Sequence, residues 1–330
     1  MRFLLDDEQR EFARSLDAML TASDTPGAVR AWAAGDTAPG RALWSRLAEA
    51  GVFALAVPEP YEGLGPLPAE LVVAFTELGR HAVPGPLVET VAAAALLDRL
   101  GDHEAAAAWL PRIASGKALV SLCVPAFGSP YALDPDATDA VLVVEGDAVL
   151  LTEDAGPVQP SADPARRLAR PLGGTVLAGG PEVTAAAAHA ADVATLVTAA
   201  QALGVGRALL DRTVTYVRQR TQFGVAIGSF QAVKHRLADT LIALEFAQPL
   251  LHSAALTLTR ADGAEAGREI AAAKVAAGDA AYAAARAALQ LHGAVGYTDE
   301  LDLSLWIRKA RPLREAWGTP AACRARVLAP

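Results

Sequence analysis

Two segments of this 330-residue chain combine residue types that could hold a phosphorylated, flat ligand. The first runs Arg218-Gln219-Arg220-Thr221-Gln222-Phe223-Gly224. An arginine presents a planar five-donor fork that meets phosphate oxygens in pairs and keeps its charge when partly buried. With Phe223 and Gly224 close behind it, Arg220 could hold a pyrophosphate while the ring packs on the rest of a cofactor. An arginine near a helix C-terminus also serves to cap the last carbonyls, and position alone does not separate the two roles. The second segment runs from Gln290 to Glu300. Its Gln290, Gly293 and Gly296 place a polar side chain beside backbone that a ligand can approach without meeting a Cβ. It reads equally as a helix–loop–helix connection, capped by glycine and restarted at Thr298.

The remaining reactive residues offer less. The six histidines show no metal-ligand spacing with Asp, Glu or Cys. The two cysteines, Cys123 and Cys323, are isolated, which excludes a disulfide framework and a cysteine zinc site and fits a reducing cytoplasm.

The elements that must position these segments follow from periodicity. Residues 4–21 space Leu4, Leu5, Phe12, Leu16 and Leu20 as one face of a helix. Further helices are expected near 42–50, 68–81, 86–101 and 103–115, with a proline- and glycine-rich loop at 57–65. From Lys117 the pattern changes to short apolar runs at 118–124, 140–144, 148–152 and 175–178, which read as strands. Helical spacing returns near 185–219, 229–261, 265–293, 300–310 and 319–328. Pro249 falls inside one of these helices and should kink it.

Composition narrows the class of protein. Hydrophobic residues make up 52% and charged residues 20%, so the chain is globular and long enough for two or three modest domains. Abundant alanine with only 5% aromatics favours closely packed helices. A net charge of −8 argues against nucleic-acid binding, which needs a basic face. The most apolar stretch, 185–210, is interrupted by His189, Asp192, Gln201 and Arg207, so no membrane span is expected. No secretory signal is evident in residues 1–14.

The order of these pieces resembles the acyl-CoA dehydrogenase family. Leu43–Gly51, the Val57–Gly65 loop, Glu77–Arg80 and Pro84–Leu87 are similar to its N-terminal helical domain. Arg220–Gly224, Phe230-Gln231, Leu237–Asp239, Gln290–Glu300, Arg308 and Gly318-Thr319 are similar to its C-terminal helical domain. The resemblance implies a mostly α fold with a small central β domain: an N-terminal helical domain (1–116), a reduced β domain (117–183) and a C-terminal four-helix bundle (184–330). It also implies FAD-dependent α,β-dehydrogenation of an acyl-CoA, with a glutamate as base and an electron acceptor flavoprotein downstream. The family forms dimers of dimers in which each FAD lies across two subunits. The positions that reach the neighbour's FAD correspond to Arg220, Phe223 and Gln290, with Gln222, Gly293 and Thr319 as further contacts.

The departures from the family are as informative. Its base commonly lies in a Tyr-Glu-Gly-Thr loop, which here reads Ala316-Trp317-Gly318-Thr319. The alternative base position, on an earlier helix, corresponds to about Ala194. Neither is a carboxylate, and an indole can only donate a hydrogen bond. Glu315 and Asp192 are the nearest substitutes, although a misplacement near 1 Å can cost about a hundredfold in rate. In the β region Cys123–Pro130 only weakly echoes the family's flavin-side segment, and Ala321 replaces a polar contact. What is lost is mostly what a subunit offers its own flavin.

The expectation is therefore a non-catalytic subunit that completes FAD binding in a longer partner carrying the glutamate, as in some steroid and side-chain-degrading enzymes. A homo-oligomeric dehydrogenase with a relocated base, and a non-enzymatic structural or CoA-binding homologue, remain open alternatives.

Overall fold

A computed structural model describes residues 5–260 and 263–329, apart from the side chain of Tyr297. The expected helical, β, helical order is observed. The first helical region holds α1 (Asp7–Thr21), α2 (Thr25–Ala33), α3 (Ala38–Glu49), α4 (Pro68–Arg80), α5 (Leu87–Arg99) and α6 (His103–Ala114). Side-chain caps set several starts. Asp6 and Gln9 form a reciprocal capping box on α1, and Asp102 accepts from two amides of α6.

Helix α2 was not expected. Asp24 caps the Gly27 amide, and a proline is tolerated in the first turn. The ends expected at Leu4 and Ala261 lie outside the described residues.

Between Val120 and Gly179 the chain forms β1 (Val120–Cys123), β2 (Ala132–Leu133), β3 (Ala140–Glu145), β4 (Ala148–Thr152), β5 (Leu168–Ala169) and β6 (Thr175–Gly179). The main sheet has the order β1-β3-β4-β6, with β1 parallel to β3 and the other pairs antiparallel. The two-residue strands β2 and β5 pair separately and were too short to show a period. The sheet meets the first helices where Thr90 Oγ1 on α5 donates to the Val120 carbonyl at 2.7 Å.

The last region contains α7 (Glu182–Gln219), a two-strand hairpin β7 (Thr221–Gln222) and β8 (Val225–Ala226), then α8 (Gln231–Arg260), α9 (Ala264–His292), α10 (Leu303–Glu315) and α11 (Pro320–Leu328). Helix α10 extends five residues beyond the expected end at 310, carrying Pro312 within it.

Helix α7 is the spine of the molecule and packs against α4, α5, α8, α9 and α10. Its crossing with α4 depends on paired glycines. A Cβ on Gly204 would lie 1.9 Å from the Thr76 carbonyl oxygen, and one on Gly79 would lie 2.0 Å from that of Gln201.

By length and hydropathy both α7 and α8 could cross a membrane, contrary to the reading of the sequence. The apolar window of α7 is 94% buried inside the protein, so its hydropathy is that of a core helix. The window of α8 is only 33% buried.

One buried acid on α4 makes a pH dependence. Burial raises the Glu77 pKa from 4.5 to about 7, against the lowering effect of Arg80. The carboxyl is thus protonated in the fold over a range where the unfolded chain ionises it. The stabilising contribution of this protonation is fully present below pH 4.5 and is lost as pH rises through about 7. Glu77→Gln should leave stability unchanged at low pH and raise it above pH 7, by on the order of 3 kcal/mol. Urea unfolding of both proteins at pH 5 and pH 8 checks this.

Candidate functional site

The sequence-selected residues fall into two places. At the C-terminal end of α7 the Arg220 amide still donates to the Tyr216 carbonyl at 2.8 Å, after which the chain turns into the β7–β8 hairpin. Phe223 sits at its tip with φ +54, a left-handed conformation that is costly for a bulky aromatic residue. The residue is 92% exposed, and its ring meets Phe230 edge-on with ring centroids 6.4 Å apart. Arg220 and Gln222 are exposed as well, and no carboxylate among the described residues pairs with Arg220.

Gln290 and Gly293 belong to the same end. Tyr216 on α7 stacks on His292 at the end of α9 with centroids 4.0 Å apart. That stack lies four residues before Arg220 and two after Gln290, so it brings the hairpin and the glycine turn together. Gln290 is exposed, and Gly293 has φ +64 with open space where a Cβ would be. This end therefore presents a free cation, a bare aromatic ring, an amide and an uncovered turn. The combination fits one part of a flat, phosphorylated cofactor such as FAD.

Trp317, Thr319, Ala194, Glu315 and Asp192 lie elsewhere. Thr195 Oγ1, next to the fully buried Ala194, donates to the Trp317 carbonyl at 2.7 Å. From Thr195 to the last residue of α7 is 24 residues, about 36 Å at 1.5 Å per residue. The two groups therefore cannot serve one ligand within one chain.

The loop after α10 holds Trp317 at φ +51 and Gly318 at φ +123. Its conformation is set by Lys274, which is buried on α9. The ammonium donates to the carbonyls of Leu313 at 3.0 Å, Arg314 at 2.8 Å and Gly318 at 3.2 Å, and so caps α10 and clamps the loop. Burial lowers the Lys274 pKa to about 8. Lys274→Met should cost about 2–3 kcal/mol by stranding buried carbonyls and should red-shift the Trp317 emission. A melting curve followed by tryptophan fluorescence reads both. Thr319 then starts α11 by accepting from the Ala322 amide at 3.2 Å.

Glu89 was not selected from the sequence, yet it is the most perturbed acid beside this loop. It is 3% exposed on α5, and its Oε1 accepts from the Trp317 indole N–H at 3.0 Å. Its Oε2 is buried without a hydrogen-bond partner among the described residues. Burial raises its pKa, opposed first by Arg166 and then by the Trp317 hydrogen bond. A single acid heading the apolar run Leu87–Leu97 was the signal available in the sequence. Charges at such positions are almost never fully buried without a specific partner.

Glu89, Arg166, Glu315 and Trp317 line one cavity of about 250 Å³ between α5, β1, the 161–168 loop and the end of α10. Glu315 lies at this cavity and pairs with Arg314 at 3.2 Å. Asp192 does not line it, because both of its carboxylate oxygens accept from the Arg326 guanidinium on α11.

Comparison with known proteins fixes the family. The acyl-CoA dehydrogenase N-terminal domain matches residues 6–117, and the acyl-CoA dehydrogenase C-terminal domain matches residues 184–329. The chain is 33% identical over 306 residues to the acyl-CoA dehydrogenase IpdE2 of Mycobacterium tuberculosis, covering 92% of this chain and 91% of that protein. Among solved structures, the Tcur3481–Tcur3483 steroid acyl-CoA dehydrogenase superposes with a TM-score of 0.83 at 25% identity, over 97% of this chain and 96% of that one. The ChsE4–ChsE5 complex from Mycobacterium tuberculosis shares the fold with a TM-score of 0.84 at 24% identity, over 99% and 98%. With the same helical, β, helical architecture and related sequence over nearly its whole length, this chain belongs to the acyl-CoA dehydrogenase family.

Proposed function

We propose that this chain is the non-catalytic subunit of a heteromeric, FAD-dependent acyl-CoA dehydrogenase. It completes the flavin site of a longer subunit that supplies the catalytic glutamate. The observation that carries this reading is Phe223, a left-handed aromatic residue 92% exposed beside an unpaired Arg220. Strain and an uncovered ring are retained at a position where a partner surface can repay them.

Arg220 would hold the pyrophosphate, Phe223 would cover apolar cofactor surface, and Gln290 with Gly293 would give polar and backbone contacts. Bound FAD supplies the hydride acceptor for the β-hydrogen of the acyl-CoA. Thr319, two residues after the Trp317 whose carbonyl accepts from Thr195 on α7, would face the cofactor position of this chain's own side, where Trp317 stands in place of a base.

The proposed partner surface is a face of α8. Helix α8 exposes Leu241, Ile242, Phe246 and Leu250, and Phe246 is 72% exposed. A contiguous apolar face of this kind marks an interface. Pairing it with the equivalent face of a longer subunit would bury it and bring Arg220 to that subunit's flavin. The likeness to a steroid acyl-CoA dehydrogenase and to a two-protein complex supports a bulky acyl-CoA substrate and a heteromer. An electron acceptor flavoprotein would reoxidise the flavin. We assign the complex to the cytoplasm, with no nucleic-acid or membrane partner.

Co-expression with a full-length homologue from the same genome is expected to give a yellow complex that dehydrogenates acyl-CoA, while the chain alone stays colourless. Stoichiometric FAD and dehydrogenase activity in the isolated chain would sink this reading.

A further inference from the structure

The cavity behind Trp317 holds two polar groups that the proposed flavin contact does not use. Glu89 is nine-tenths or more buried, with Oε1 bonded to Trp317 and Oε2 without a hydrogen-bond partner among the described residues. A buried polar atom left unsatisfied costs about 1–3 kcal/mol, so an oxygen of this kind calls for a partner. Arg166 lines the same cavity, and no hydrogen bond from its guanidinium is formed among the described residues.

Burial favours the protonated form of Glu89, whose O–H is then a donor. A carboxylic acid and a guanidinium lining one cavity are both donors. The ligand that satisfies both is acceptor-only and anionic, which describes a carboxylate. An ammonium would be repelled by Arg166, and Glu315, the other acid at the cavity, is already paired with Arg314. The cavity is also lined by apolar side chains: Leu122, Val124, Leu133 and Leu168. At about 250 Å³ the space is smaller than the ~300–1,000 Å³ of sites that enclose drug-sized molecules, so the ligand is small.

We propose that this cavity is a binding site for a small monocarboxylate, its oxygens shared between Glu89 and Arg166 and its apolar tail lying on the leucine and valine wall. The ligand would occupy the chain's own pocket, behind the indole that replaces the family's base. The site does not depend on Arg220 or on the partner's flavin.

Calorimetric titration of the co-purified complex with hexanoate tests the proposal, with hexanamide as the neutral control. One hexanoate per short chain is expected, with hexanamide at least tenfold weaker. Arg166→Met should weaken hexanoate about a hundredfold. Glu89→Gln, which keeps an oxygen for Trp317 and offers an N–H donor, should stay within a few-fold of the parent. Circular dichroism confirms that both variants are folded. Hexanamide binding as well as hexanoate, an unchanged affinity in Arg166→Met, or no hexanoate heat at all would each overturn the proposal. So would displacement of hexanoate by FAD, which would give the cavity to the flavin. Arg220→Ala separates the two ideas: it should remove flavin from the complex and leave hexanoate binding intact.

Discussion

Arg220→Ala is expected to bleach the complex while leaving each subunit folded. Among the described residues the side chain makes no ion pair or hydrogen bond, so its loss removes none of that support. A guanidinium meeting two phosphate oxygens makes two charge-assisted hydrogen bonds, each worth about 1.5–3 kcal/mol. Removing both should weaken FAD binding by roughly a hundredfold or more, since 1.4 kcal/mol is a factor of ten. Absorbance at the flavin band after gel filtration measures the retained cofactor. Arg220→Lys keeps the charge but not the fork and should fall between the two. An unchanged flavin content in Arg220→Ala would remove the arginine from the site.

The largest stability effect is expected at Lys309. Its ammonium, on α10, donates to Asp163 Oδ2 at 2.8 Å, with the two side chains only 5% and 2% exposed. The pair ties α10 to the 153–174 loop, whose Arg166 and Leu168 form one wall of the cavity. Lys309→Met leaves the Asp163 carboxylate buried without its counter-charge, an error that typically costs about 3–5 kcal/mol. The double variant Lys309→Met with Asp163→Asn should recover most of that loss, because a matched neutral pair no longer buries a charge. Urea midpoints of the parent, both singles and the double give the coupling directly. A double variant as unstable as Lys309→Met alone would show that packing, not charge, is what the lysine supplies.

Much of the architecture was legible in the sequence because periodicity reports which face is buried. The long helices and the main strands follow their apolar spacing. The elements that escaped are those without a period. Helix α2 is a nine-residue segment opened by Pro26-Gly27, and β2 and β5 are two residues each. Hydropathy alone was ambiguous for α7, which passes as a membrane span on length and composition, and its packing, with 94% of that window buried, makes it a core helix. The site was legible in part. Arg220, Phe223 and Gln290 were found as motifs, whereas Glu89, Arg166 and Lys274 are lone residues far apart in the chain, with nothing to announce that one cavity and one loop would gather them.

By itself the sequence determined the family and the absence of a carboxylate at Trp317 and Ala194, because both depend only on which residue type stands at which place. Tertiary structure decided how those positions are distributed. About 36 Å of the continuous helix α7, from Thr195 to Gln219, separates the exposed Arg220–Phe223 end from Trp317. The same packing brings the lone acid of α5 under the Trp317 indole at 3.0 Å. The physical reason is that residue type travels with the chain, whereas distance and burial are set by how rigid helices cross.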